Sequence, residues 1–199
     1  EARITSPWTV EVTTEEGART LNTRAIVIAT GGRPAIPGIP GIEDVGYVTS
    51  DTVWGLRTLP GRLLVLGGGP IGCELAQCFA RLGARVVQVQ RGPHLLPKED
   101  PEIAGMVMER FRAEGIDLRM EHRPLHFERN GDARALVCEH GGGQVRIEFD
   151  QLLVAVGRTP NVAGFGLEAL GIGVAKDGTL DTNEYLQTIY PNVYAAGDV

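Results

Sequence analysis

Cysteine, long apolar runs and an excess of positive charge are scarce in this 199-residue sequence, and each shortage excludes a class of protein. Three cysteines do not make a disulfide framework, so a reducing cytoplasm is the expected compartment. No apolar stretch approaches the roughly 20 residues that a membrane-spanning helix needs. The opening EARITSPWTV lacks the basic-then-apolar layout of a secretory leader. With 19 Lys and Arg against 25 Asp and Glu, the formal charge of −6 argues against nucleic acid or an anionic membrane as partner. No repeat and no low-complexity tract is found.

What is present reads as an α/β protein. The composition is 43% hydrophobic and 22% charged, with 27 glycines and 12 prolines falling in turns. WTVEVTT alternates as a half-buried strand, and RAIVIAT reads as a strand buried on both faces. In RPAIPGIPGI, alternating proline and glycine prevent helix or central strand, which puts a boundary near Pro40. Ser50 or Asp51 is placed to cap a short helix.

RLLVLGGG, PIGCELAQCFARLG and ARVVQVQR then read as strand, helix and strand. On that helix Ile71, Leu75, Cys78, Phe79 and Leu82 recur at helical spacing and are expected to face the sheet. Asp100-Pro101 opens a second helix that carries Ile103, Val107 and Phe111 inward. From Ile116 to Gly157 the pattern is strands, with tight turns at Asn130-Gly131 and Gly141-Gly142-Gly143. A short helix is expected around Leu167 to Leu170.

The chemistry concentrates in LGGGPIGCELAQC, from Leu66 to Cys78. Gly67, Gly69 and Gly72 spell G-x-G-x-x-G, which is weak alone but strong between a strand and a helix at βαβ distance. Gly67 permits the tight turn, Gly69 lets backbone amides approach a pyrophosphate, and Gly72 lets the helix pack closely. Pro70 and Ile71 lie between them at the helix start, where free N–H groups meet negative charge. At the end of the second strand, where an acid would hold both ribose hydroxyls of NAD, stand Gln90 and Arg91. Glutamine does not repel a 2′-phosphate, and Arg91, with Lys98 nearby, is able to pair with one; the preference leans toward NADP. A solvated surface cation is the other reading of Arg91.

Cys73 and Cys78 invite a redox reading as C-x4-C. On an α-helix, residues five apart have Cα atoms roughly 8.6 Å apart, beyond the reach of about 7 Å that a disulfide tolerates. They and Cys138 are read as small packing residues.

Several ordered motifs resemble the pyridine nucleotide–disulfide oxidoreductase family, which includes dihydrolipoamide dehydrogenase, glutathione reductase and mercuric reductase. They are AIVIATGGRPAIPGIPG, YVTSDTVWGLRTLPGRLLVLGGGPIGCELAQCFARLGARV, LLPKEDPEI, LLVAVGRTPN and VYAAGDV. The resemblance implies a Rossmann-like NAD(P)-binding domain, a parallel sheet with a β-meander, inserted between two partial FAD-domain segments. Residues 1–40 resemble the rear of the first FAD segment, 41–157 the NAD(P) domain, and 158–199 a truncated second FAD segment.

By the same resemblance Thr30 and Gly31 belong to a flavin-side turn, and Asp198 bonds the ribityl chain. Glu74 stands beside the nicotinamide, and the Gly157 backbone approaches the nucleotide. Gln90-Arg91 departs from the glutamate of NAD-type members and is similar to the mercuric reductase pattern. The family's redox cysteines, its flavin-pyrophosphate glycine motif and its C-terminal dimerisation domain match nothing here. The four histidines do not correspond to the family's catalytic one, and no residue is expected to be catalytic or to bind metal.

VYAAGDV closes the chain just after an apolar strand, where domains rarely end. The expectation is a central fragment, inactive alone, of an enzyme that passes hydride from NAD(P)H to FAD and on to a disulfide or similar acceptor. The parent is expected to be a homodimer through a domain absent here. The rival expectations are a non-catalytic NAD(P)H-sensing module, or a flavin oxidase or quinone reductase without redox cysteines.

Overall fold

Four successive side chains of Arg62–Leu66 are buried, a pattern that only a strand covered on both faces produces. In the computed structural model, which describes residues 1–199, this strand organises the larger of two units. The strands in chain order are β1 (Ala2–Ser6), β2 (Thr9–Thr14), β3 (Gly17–Asn22), β4 (Ile26–Ile28), β5 (Gly32–Pro34), β6 (Arg62–Leu66), β7 (Arg85–Val89), β8 (Asp117–Arg119), β9 (Arg123–Asn130), β10 (Ala133–His140), β11 (Gly143–Phe149), β12 (Gln151–Val154), β13 (Arg158–Pro160) and β14 (Val193–Ala195). The α-helices are α1 (Ile42–Val45), α2 (Pro70–Arg81) and α3 (Pro101–Ala113).

The larger unit is Pro34–Gly157. Its four-stranded parallel sheet has the order β12-β6-β7-β8, with Leu64 opposite Leu152 on one side and Leu63 opposite Val86 on the other. The strands β9, β10 and β11 form a separate antiparallel meander. Leu64, Leu66, Val89, Leu152 and Val154 pack on Phe127, Leu136 and Phe149 of the meander. Leu63, Val65 and Val86 pack on Cys73, Ala76, Met108 and Phe111 of the helices. Each buried Leu, Val, Met or Phe among them, removed from water, contributes about 1.5–3 kcal/mol. The unit's two ends meet: Ala35 N–H donates to the Gly157 carbonyl at 3.0 Å.

Both long helices place part of the expected stripe inward and part in solvent. In α2 the buried residues are Gly72, Cys73 and Ala76, while Cys78 is exposed and Leu82, just past the helix, is 68% exposed. The reason is distance, because a helix this close to its strands admits only small residues along the contact line. Leu75 and Phe79 flank that line. In α3 Phe111 is buried and Val107 packs on the core as expected, whereas Ile103 is exposed and Ala104 and Met108 are buried in addition. Asp100 caps α3 by accepting from Glu102 N–H at 2.8 Å.

Glu114, just past α3, ties the two helices together by accepting from Arg81, Arg110 and Gln77. The helix expected after Ser50 is a 3-10 turn, Val53–Gly55, without a side-chain cap; Ser50 instead offers its carbonyl to the Trp54 indole at 2.8 Å.

The smaller unit combines Glu1–Arg33 with Arg158–Val199. It holds the antiparallel sheet β1-β2-β3, the parallel pair β4-β14 and the short pair β5-β13. β5 takes only Arg33 and Pro34 from RPAIPGIPGI and pairs with β13 alone, so that segment forms no central strand. Ile4, Ile26, Ile28, Leu167, Leu180 and Val193 make its core. The expectation that RAIVIAT is buried on both faces fails, because Val27 is 62% exposed between buried Ile26 and Ile28. The helix expected near Leu167 is a single 3-10 turn, Glu168–Leu170. No helix in the chain is long and apolar enough to cross a membrane.

Candidate functional site

The turn from β6 into α2 contains no side chain at three of its first four positions, and a cavity of about 770 Å³ opens over it. Gly67, Gly68, Gly69, Pro70 and Ile71 form one wall. Gln90 and Arg91, at the end of β7, form a second, and Val154 to Gly157 a third. Leu96, Pro97, Lys98 and Pro124 complete the rim.

Each glycine is constrained differently. Gly67 has φ +118, and a Cβ there would be driven into the Ala155 carbonyl oxygen. A Cβ at Gly72 would lie 2.6 Å from the Gly67 carbonyl oxygen, so Gly72 marks the closest approach of α2 to the turn. Gly69 is the opposite case: φ is −78 and a Cβ would meet nothing within 4 Å. The only demand on that position comes from the open space in front of it.

The turn's backbone is held from behind. Gly67 N–H donates to Val89 O at 2.9 Å, and Leu96 N–H donates to Gly68 O at 2.7 Å. Leu96 does so from a left-handed conformation, φ +50, that a branched side chain adopts only under constraint. The N–H groups of Gly68 and Gly69 find no acceptor in the protein. With the free first turn of α2 they give the cavity a positive floor suited to an anion.

Arg91 and Lys98 are exposed at the rim and engage in no ion pair. Arg123, also at the rim, is already paired with Glu139. Of the residues singled out in the sequence, Gly67, Gly69, Pro70, Ile71, Gln90, Arg91 and Gly157 therefore surround one cavity. Gly72 lies behind it, and Glu74 is exposed on α2 outside its walls.

Thr30, Gly31 and Asp198 belong to the smaller unit. Thr30 donates to Asn161 O at 2.6 Å, and the neighbouring Gly32 lies against the Asp198 backbone. The Asp198 carboxylate pairs with Arg158 at 3.3 Å. Both buried cysteines have thiols pushed up to about 11 by desolvation, Cys73 in spite of a bond from Gln88, and such thiols are poor nucleophiles. Cys73 is buried and Cys78 exposed on α2, and neither is bonded to the other. No group of three or more His, Cys, Asp or Glu is arranged to hold a metal ion.

Two contributors were not picked out in the sequence, Gln88 and Leu96. Gln88 carried a signal, a polar residue inside an otherwise apolar buried strand. The left-handed turn at Leu96 carried none.

A glycine-walled strand-to-helix turn with free amides beneath a cavity makes a candidate site suited to an anionic ligand. The model of the pyridine nucleotide-disulphide oxidoreductase family matches residues 2–199, and the chain belongs to that family. It is 40% identical over 199 residues to a mercuric reductase of Staphylococcus aureus, covering 100% of this chain and 36% of that protein. It is 37% identical to a dihydrolipoyl dehydrogenase of Thermus scotoductus and to a glutathione reductase of Burkholderia cepacia, covering 100% of this chain and 42% of each. The Cu(II) complex of the HOCl-induced flavoprotein disulfide reductase RclA from Escherichia coli superposes with a TM-score of 0.89 at 31% identity, over 100% of this chain and 44% of that one. The chain thus spans about four-tenths of the length of its relatives.

Proposed function

We propose that the chain is the nucleotide-handling part of an FAD-dependent oxidoreductase that takes hydride from NAD(P)H and delivers it, through FAD, to a disulfide or similar acceptor. The larger unit, Pro34–Gly157, is its Rossmann-like NAD(P)-binding domain, starting a few residues before the expected boundary near Pro40, and Glu1–Arg33 with Arg158–Val199 are parts of its FAD domain. The observation that carries the proposal is the cavity whose floor presents the unpartnered N–H groups of Gly68 and Gly69. A dinucleotide pyrophosphate fits that floor, because the positions facing it lack the side chains that would fill it.

When bound, the nicotinamide supplies the hydride and the flavin relays it; the protein binds, orients and screens. Gly67 and Gly72 hold the turn, while the amides of Gly68 and Gly69 and the helix start at Pro70 and Ile71 receive the pyrophosphate. Gln90 bonds a ribose hydroxyl. Arg91, exposed and without an ion-pair partner, receives the 2′-phosphate, and the preference is for NADP. Gly157 keeps the far wall low, and Glu74 accepts from the carboxamide. On the flavin side Asp198, steered by Arg158, bonds the ribityl chain beside the Thr30-Gly31 turn.

Calorimetric titration of the 199-residue chain with NADPH and with NADH tests this. NADPH is expected to bind tighter by roughly tenfold, as one charge-assisted contact provides. A preference for NADH removes Arg91 from its role. Binding of neither by the folded chain removes the nucleotide from the cavity.

A further inference from the structure

Strand β7 reads Arg-Val-Val-Gln-Val, and its glutamine does not suit its surroundings. Gln88 is fully buried, on the face of the sheet that α2 covers, beside Cys73. Its Nε2 donates to the Gly67 carbonyl at 3.0 Å and lies 3.7 Å from Cys73 Sγ. Its Oε1 has no partner. A buried carbonyl without a donor is unfavourable, and an apolar side chain of the same length would avoid it. The position therefore gives up stability for something the amide alone does there, which is to hold Gly67.

That hold has a geometric consequence. Both polar groups of Gly67 are tied to β7, its N–H by Val89 and its carbonyl by Gln88. Without those ties a glycine at φ +118 has wide freedom. A trans peptide is planar, with C=O and N–H pointing opposite ways. Drawing the Gly67 carbonyl inward under α2 turns the Gly68 N–H outward, toward the cavity that Gly68 lines. The missing side chain at Gly72 makes room for the contact, since a Cβ there would lie 2.6 Å from the Gly67 carbonyl oxygen that accepts it.

We infer that Gln88 is a positioning residue for the nucleotide cradle: from beneath α2 it aims the Gly68 N–H at the pyrophosphate. The inference rests on the nucleotide-binding role proposed above. Gln88 touches no ligand and acts through the Gly67–Gly68 peptide.

Two variants of the 199-residue chain test it, with NADPH as the probe. Gln88→Met keeps the volume and removes both the donor and the orphaned carbonyl. Its affinity for NADPH is expected to fall roughly tenfold, while its thermal midpoint stays level or rises. A merely structural role would lower the midpoint instead.

In Gln88→Glu the carboxylate has no proton to offer Gly67, and protonation restores one. Relative to wild type at each pH, its affinity is expected to recover as pH falls from about 8 to about 6. Equal NADPH affinity in wild type and Gln88→Met overturns the inference and leaves the nucleotide site standing. If Gln88→Met loses its fold as well as its affinity, the glutamate variant decides: recovery on acidification supports the inference, and weak binding at every pH overturns it. A wild-type chain that binds neither NADPH nor NADH overturns both the inference and the proposed function.

Discussion

β6 of the larger unit and β4 of the smaller one are both apolar strands in parallel pairing, yet their surroundings differ. β6 has helices on one face and the antiparallel meander on the other, so Leu63, Leu64, Val65 and Leu66 are all buried. β4 buries Ile26 and Ile28 and leaves Val27 exposed between them. β3 in the smaller unit is exposed at every position, and Tyr185, Leu186 and Ile189 also lie open. An apolar run therefore announces a strand but not how many of its faces are covered. Coverage is decided by elements far away in sequence, here β9 to β11 for β6.

The largest effect of a substitution is expected at the junction of β6 with α2. Gly67→Ala forces a left-handed alanine against the Ala155 carbonyl and should lower stability by about 4 kcal/mol, as read by denaturant unfolding. Leu64→Ala removes a fully buried side chain between sheet and meander, with an expected loss of about 3 kcal/mol.

A smaller effect concerns acid. Arg81, with Arg110 and Gln77, holds the Glu114 carboxyl down at about 2, from an ordinary 4.5. A depressed carboxyl stabilises the fold above its unfolded value, so this contribution is complete above about pH 4.5 and is lost as pH falls toward 2. Glu114→Gln should therefore be less stable than wild type at neutral pH and match it near pH 2, as followed by unfolding at stepped pH.

Val27→Thr is the smallest, within about 0.5 kcal/mol. A loss there as large as that of Leu64→Ala would end the contrast between the two strands. Hydrogen exchange reads the same contrast without mutation: amides of Leu63–Leu66 should be the slow ones and those of Gly17–Asn22 fast.

The cradle was legible because its demands are local. A strand, three glycines at fixed offsets and a helix all lie within one short stretch of chain, and Gln90 and Arg91 follow at the end of the next strand. The helix faces were less legible. Periodicity locates an apolar stripe, but it cannot show that α2 lies so near the sheet that Gly72, Cys73 and Ala76 take the contact while Leu82 faces solvent. Leu96 was out of reach altogether, since its backbone conformation is imposed by the turn it supports. Gly69 offers a separation of fold from site: Gly69→Ala has room for its Cβ and should keep its stability while weakening nucleotide binding at least roughly tenfold, by calorimetry.

The hydrogen bond between Ala35 and Gly157 also bears on the order in which the chain folds. The two halves of the smaller unit, Glu1–Arg33 and Arg158–Val199, are separated by the whole of the larger one. In an unfolded chain, bringing them together means closing a very long loop before any contact offsets the lost entropy. Once the larger unit has folded, its paired ends deliver Arg33 and Arg158 to the same neighbourhood, and the loop is already closed. The larger unit is then expected to acquire amide protection first in pulse-labelled refolding, with the β4–β14 ladder following. The larger unit would thus act as a folding clamp for the sheet that flanks it in sequence.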